Sequence, residues 1–233
     1  MYKTMFDTAT ISGNYTILIS SMAGEDNSFL EEKHAFLGDM DFLSFATKFS
    51  HNEVISYLLD RGVSIPFTGP DSPVCISSRR GDAIQLKKFV DAGAVFQSEA
   101  LLFAIHAGSV SCASLLLQNG VPIVGQYIDE TGQVQQMDAL SEACKQDRTT
   151  VDMLQLLLAY GADPNSKDSD GNTPLHHVVS VDNPELISLL LDCGADPKIS
   201  NNLWQLPHQL YDEKERYECT LLLSSDTPVF GVH

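Results

Sequence analysis

The sequence predicts an all-α solenoid of about six helix-turn-helix units, from which one β-hairpin finger extends. Three observations predict it. A short ending, "LLxxG", recurs along the chain; an apolar anchor precedes each copy at a nearly constant distance; and the best-preserved copy begins with residues that start helices and closes with one that ends them.

The endings run "LLDRG" to Gly62, "FVDAG" to Gly93, "LLQNG" to Gly120, "LLAYG" to Gly161 and "LLDCG" to Gly194, with a worn "LLSSD" at Asp226. The anchors are Leu43, Val74, Leu101, Leu140, Leu175 and Leu206. From anchor to ending the separations are 15 (43 to 58), 15 (74 to 89), 15 (101 to 116), 17 (140 to 157), 15 (175 to 190) and 16 (206 to 222). Six near-equal spacings point to a repeated structural unit.

The unit is legible in "TPLHHVVSVDNPELISLLLDCG". Thr173 stands at an N-cap position and Pro174 at the first helical position, where a missing N–H costs nothing. Asn183 and Pro184 repeat the device and start a second helix, whose Leu186, Ile187, Leu190 and Leu191 fall at helical spacing. Gly194 supplies the positive φ that ends it. Two short antiparallel helices cannot bury their own apolar faces, so each unit must stack on its copies.

These residues resemble the ankyrin repeat, with its T-P-L-H-x-A signature and 33-residue period. Gly161 and Gly194 are 33 residues apart, and "GADPNSKDSDGNTPLHHVV" matches the pattern closely. "SPVCISSRRGDAIQLKKFVDAG" keeps the helix start, Gly81 and the closing glycine, while "EALLFAIHAGSVSCASLLLQNG" has Ala100 in place of proline. The resemblance implies an ankyrin-repeat solenoid over residues 38–225, followed by a tail at 226–233. Its last unit is irregular: "NLWQLPHQL" puts Trp204 and Gln205 where threonine and proline belong, which suits a terminal cap. Residues 1–37 are expected to form a helical N-terminal cap. There Ser28 and Glu31 make a capping box that Gly38 can close.

Composition narrows the function. Fourteen Lys and Arg against 31 Asp and Glu give a net charge of −17, which repels phosphate backbones and anionic lipids, so neither nucleic acid nor membrane is expected as a partner. The N-terminus has no signal-peptide apolar core and no run approaches 18 apolar residues. Five cysteines, with no CxxC and no zinc-ligand cluster, suit free thiols in a reducing cytosol. Cys75, Cys112 and Cys144 fall in helices expected to pack between units.

No phosphate-binding, dinucleotide, HExxH or GxSxG motif occurs. His176 and His177 are adjacent on a helix and point in different directions, and the repeat pattern gives the His176 position a structural role. The chain is therefore expected not to be an enzyme and to hold no cofactor or metal. The acidic run "YDEKERYE" (211–218) reads as a solvated helix face. Glu-rich C-terminal stretches and ankyrin repeats also resemble those of effectors that intracellular bacteria inject into host cells, which would place the chain in a host cytosol.

Ankyrin arrays present a palm, the exposed side of the first helices, and fingers, the hairpins between units. Finger lengths from glycine to the next anchor are 12 (62 to 74), 8 (93 to 101), 20 (120 to 140), 14 (161 to 175) and 12 (194 to 206). The longest reads as a β-hairpin. "GQYI" and "QVQQM" flank "DETG", Gly132 can close the loop, and Tyr127, Ile128, Val134 and Met137 are candidate contacts.

On the palm, the position five residues past each anchor reads Lys48, Arg79, His106, Lys145 and Ser180. Phe49 and Arg80 follow two of them. Cations here complement the helix macrodipole, or they form a basic groove for an acidic segment of a protein partner. Two function classes follow: an adaptor gripping a protein, or an enzyme with an unrecognised site between the array and the N-terminal segment. Perturbed titratable groups converging in a closed cleft would mark the enzyme.

Overall fold

The computed structural model describes residues 15–25, 40–66, 69–128, 133–181 and 183–210, together with Thr4, Met5, Thr8, Ala9 and Leu30. The expectations placed on Ser28, Glu31, Gly38, Gly132, the run 211–218 and the ending at Asp226 lie outside the described residues. Eleven α-helices and one two-stranded sheet are present among the described residues. The chain divides into two compact units, Met1–Ala100 and Leu101–His233.

In the first unit, α1 (Thr16–Met22) precedes two helix pairs: α2 (Phe42–Lys48) with α3 (Asn52–Asp60), and α4 (Pro73–Arg79) with α5 (Ala83–Asp91). Within this unit α2 packs on α3 and on α4, and α4 on α5. Leu18, Met22, Phe42, Leu43, Ile55, Leu58, Leu86 and Phe89 are withdrawn from solvent. The segment before the repeats is tied to the first pair by directional bonds. The Tyr15 hydroxyl shares a 2.8 Å hydrogen bond with His51 Nδ1, and Arg61 donates to the carbonyls of Met22 and Glu25 at 2.8 Å each.

Helix α6 (Ser98–His106) crosses from the first unit into the second. The second unit continues with α7 (Val110–Gln118), strands β1 (Val124–Ile128) and β2 (Val134–Asp138), then α8 (Ala139–Cys144), α9 (Val151–Ala159), α10 (Pro174–Val181), α11 (Pro184–Asp192) and a 3-10 turn at Pro207–Leu210. First helices stack on first helices, α8 on α10, and second helices on second helices, α7 on α9 and α9 on α11.

Local chemistry explains the starts and stops. Asp41, Ser72 and Asp138 cap first helices, and Asp82, Ser109, Thr150 and Asn183 cap second helices, each side chain accepting a backbone N–H two or three residues on. Gly62, Gly93, Gly120, Gly161 and Gly194 all take positive φ, between 70° and 91°, which ends each second helix without a Cβ clash. At Thr173 the expected cap differs. His176 Nδ1 accepts from the Thr173 N–H at 3.0 Å and lies 2.8 Å from its hydroxyl, while Nε2 donates to the Gln205 carbonyl at 3.1 Å. A backbone N–H can only donate and a carbonyl can only accept, so His176 is fixed as the neutral Nε2–H tautomer.

The phase of the last turn corrects the sequence reading. Pro207, not Gln205, occupies the first helical position, and Leu206 precedes the helix. The turn repeats that of the preceding unit. In one, the Asp168 side chain accepts from the N–H groups of Asp170 and Asn172; in the other, the Asn201 side chain accepts from Leu203 and Gln205. Trp204 thus stands where Gly171 stands, and it adopts the same left-handed backbone, φ 62° against 76°.

Candidate functional site

The long finger is a two-stranded antiparallel hairpin. Val124 pairs with Asp138, Gly125 with Met137, Gln126 with Gln136, Tyr127 with Gln135 and Ile128 with Val134. Directly opposed residues share a face, so the register separates three of the four candidate contacts, the side chain of Ile128 lying outside the described ones. Val134 is 62% exposed, Tyr127 is half-buried, and Met137 is fully buried. Met137 is therefore corrected from a contact to a packing residue, because β2 runs straight into α8 and carries its inner face into the core. Asp138 ends the strand and caps α8 through Ser141 N–H, while Ala139 N–H bonds to the Ile123 carbonyl.

Beside the hairpin, consecutive first helices of the second unit carry a polar network. Glu142 on α8 accepts from Lys145 Nζ at 2.8 Å, and His106 Nε2 from α6 lies 3.8 Å from its other oxygen. His106, with help from Lys145, holds the Glu142 carboxyl at about 2, and burial only partly opposes them. Burial disfavours the Lys145 ammonium, but Glu142 more than offsets this and pushes its pKa up, with Asp168 and Tyr127 adding to the effect. On α10, His177 Nε2 lies 2.9 Å from Asp168 Oδ2; burial outweighs this carboxylate and lowers the imidazole, so near pH 7 it is a neutral imidazole that donates to the Asp168 carboxylate. Glu142 had not been picked out from the sequence, although its place three residues before Lys145 on a helix was the available signal.

In the first unit Lys48, Phe49, Arg79 and Arg80 are exposed at the C-terminal ends of first helices. The cations there satisfy backbone as well as facing solvent. Arg80 donates to the carbonyls of Thr47 and Lys48, Arg79 donates to that of Pro70, and Lys48 lies 3.9 Å from Asp71. Phe49, 52% exposed, packs its ring on Phe45 and His51. Among the described residues no group of three or more His, Cys, Asp or Glu is placed to hold a metal ion, and no helix is long and apolar enough to cross a membrane.

A family model of ankyrin repeats matches residues 7–168 and 124–201. This chain belongs to the ankyrin-repeat family. Relatives of this ankyrin chain include human BCL-6 corepressor-like protein 1, 47% identical over 62 residues that make up 27% of this chain and 3% of that protein. A putative ankyrin repeat-containing protein of Treponema pallidum is 35% identical over 103 residues, 44% of this chain and 32% of it. The chain thus spans a third or less of the length of these curated relatives. Among solved structures, the ankyrin repeat domain of human ASB11 superposes with a TM-score of 0.72 at 25% identity, covering 95% of this chain and 98% of that one. The Bcl-3 ankyrin domain gives 0.72 at 19% identity, covering 94% and 96%, a likeness of fold.

Proposed function

We propose that this ankyrin-repeat chain is a non-catalytic adaptor that binds a protein partner through the exposed side of its first helices and through its hairpin finger. The observation that carries the reading is the fixed polar network of Glu142, Lys145, His106, His177 and Asp168 beside the half-buried Tyr127 of the finger, whose other face exposes Val134. Tyrosine is enriched at protein interfaces, and polar groups already fixed beside it reduce the ordering that binding must impose. Lys145 is neutralised by Glu142, so attraction of an acidic segment of the partner rests on the exposed Lys48, Arg79 and Arg80 of the first unit. The buried free cysteines suit a reducing cytosol, a host's if an intracellular bacterium delivers the chain.

The test takes proteins captured from lysate on the immobilised chain and remeasures each purified partner. Replacing residues 125–134 by a short Gly/Ser turn is expected to weaken binding at least about tenfold, or roughly 1.4 kcal/mol, with the array still folded. Arg79→Glu with Arg80→Glu is expected to slow association and flatten its salt dependence. Unchanged affinity in the folded hairpin replacement removes the finger from the reading, and unchanged association at low salt removes the acidic segment.

A further inference from the structure

Trp204 occupies a backbone position that its own neighbouring repeat assigns to glycine. In the preceding turn Gly171, at φ 76°, lies beneath the next turn: an added Cβ would come within 2.4 Å of Asn202 Oδ1 and 2.8 Å of Asn202 N. One repeat later the same hydrogen-bonded frame holds Trp204 at φ 62°. A bulky side chain in the left-handed region is strained, and strain kept at a pinned position points to a use for that side chain. The frame leaves the turn little freedom: Asn202 donates from its backbone to the Asp170 carbonyl and from its side chain to that of Ser169. The result is display. Trp204 is 85% exposed and Leu203 beside it 75%, the two most exposed large apolar residues among the described residues of the second unit.

The charge around them sets what they fit. Exposed carboxylates of Asp170 and Asp196 lie on the two adjoining turns beside the exposed Lys198 and Lys167, the latter donating to the Ser200 carbonyl, so the excess negative charge that a cation meets is that of the chain at large. The whole chain carries −17. An indole face attracts a cation more strongly than any other side-chain ring, and arginine stacks on it while keeping its own hydrogen bonds. We infer that the Leu203–Trp204 turn is a docking surface for a basic partner segment, with arginine or lysine seated on the Trp204 ring, an aliphatic neighbour on Leu203 and Asp170 compensating the charge. This surface uses none of the residues of the adaptor face proposed above, so either reading can fail alone.

Trp204 is the sole tryptophan, which makes its fluorescence a direct reporter. The probe is the peptide acetyl-Leu-Arg-Arg-Leu-amide at 0.15 M salt, with acetyl-Leu-Glu-Glu-Leu-amide as control. The arginine peptide is expected to change the emission saturably and the glutamate peptide to leave it unchanged. Trp204→Gly suits the left-handed backbone, so it is expected to keep the melting temperature while calorimetry shows at least a threefold loss of affinity for the arginine peptide. A loss smaller than threefold would mean that bulk negative charge, and not this ring, attracts the peptide, and would overturn the inference. So would an emission change that never saturates, or equal binding of the glutamate peptide.

Discussion

Tyr15 and His51 share a hydrogen bond of 2.8 Å across 36 residues, which fixes the segment ahead of the repeats to the turn that starts α3. Arg61, at the other end of α3, donates to two carbonyls at the end of α1. Together they hold α1 at both ends, with Leu18 and Met22 buried between. Tyr15→Phe is expected to lower stability by about 1 kcal/mol and Arg61→Ala by about 1 to 2, the net worth of part-buried hydrogen bonds. Urea midpoints measure both. Unchanged midpoints would show that these bonds do not fasten the segment.

The cysteines divide by exposure. Cys75, Cys112 and Cys144 are buried and Cys193 is exposed. Burial pushes the Cys75 thiol up to about 11 and raises that of Cys144 as well, and the thiolate is the reactive form. Among these four, a thiol reagent applied to the native protein is expected to modify Cys193 within minutes and the other three only after denaturation. Peptide mapping reads the result, and rapid modification of Cys75 or Cys144 would mean that their helices open.

The repeat was legible because capping residues, closing glycines and leucine spacing are written locally, as at Asn183, Pro184 and Gly194. The last turn was misphased for a physical reason. Trp204 was read as a failed helix start, whereas Asn201 to Pro207 follows the frame of Asp168 to Pro174, with tryptophan in the glycine's place. The hairpin was found from its strands, but not which residues it buries. Strand alternation alone does not say which face meets the core; the pairing of Met137 with Gly125 and the run of β2 into α8 decide it. The basic groove expected from Lys48, Arg79, Arg80 and Lys145 counts cations without their neighbours: Glu142 pairs with Lys145, and Asp71 lies 3.9 Å from Lys48.

Met137 and Val134 lie on one strand and should respond in opposite ways. Met137→Ala opens a hole in the core at the hairpin base and is expected to cost about 2 to 4 kcal/mol. Val134→Ala, at a largely exposed site, is expected to change stability by less than about 0.5 kcal/mol. Denaturant unfolding of the two variants checks this, and comparable losses would mean that the finger is packed along its whole length.

Acid should act in two stages. Burial lowers the folded-state values of His51, His176 and His177, so the unfolded chain binds their protons first and stability begins to fall as pH drops below the ordinary histidine value, near 6.5. Glu142 is held at about 2 against an ordinary 4.5. Its contribution is complete above that ordinary value and is lost as pH falls toward 2. After allowance for the partly exposed Lys145 and His106, Glu142→Gln is expected to cost about 2 kcal/mol at pH 7 and almost nothing near pH 2. Urea midpoints between pH 7.5 and 2.5 test both stages, and a Glu142→Gln deficit that stays constant with pH would show that the carboxylate's charge is not what matters.

Gly171 and Gly194 separate backbone strain from packing. Both have positive φ, 76° and 91°, but nothing lies within 4 Å of a Cβ built on Gly194, whereas one on Gly171 would strike the backbone and side chain of Asn202. Gly194→Ala therefore adds only the left-handed strain, about 1 kcal/mol. Gly171→Ala adds the same strain and must also push Asn202 away, breaking its bonds to Asp170 and Ser169. A total near 3 kcal/mol is expected, since each displaced hydrogen bond is worth about 1. The difference between the two variants, read from urea midpoints, isolates the contact between successive finger turns. Equal losses would mean that the turns are fixed by their own backbone conformations and not by each other.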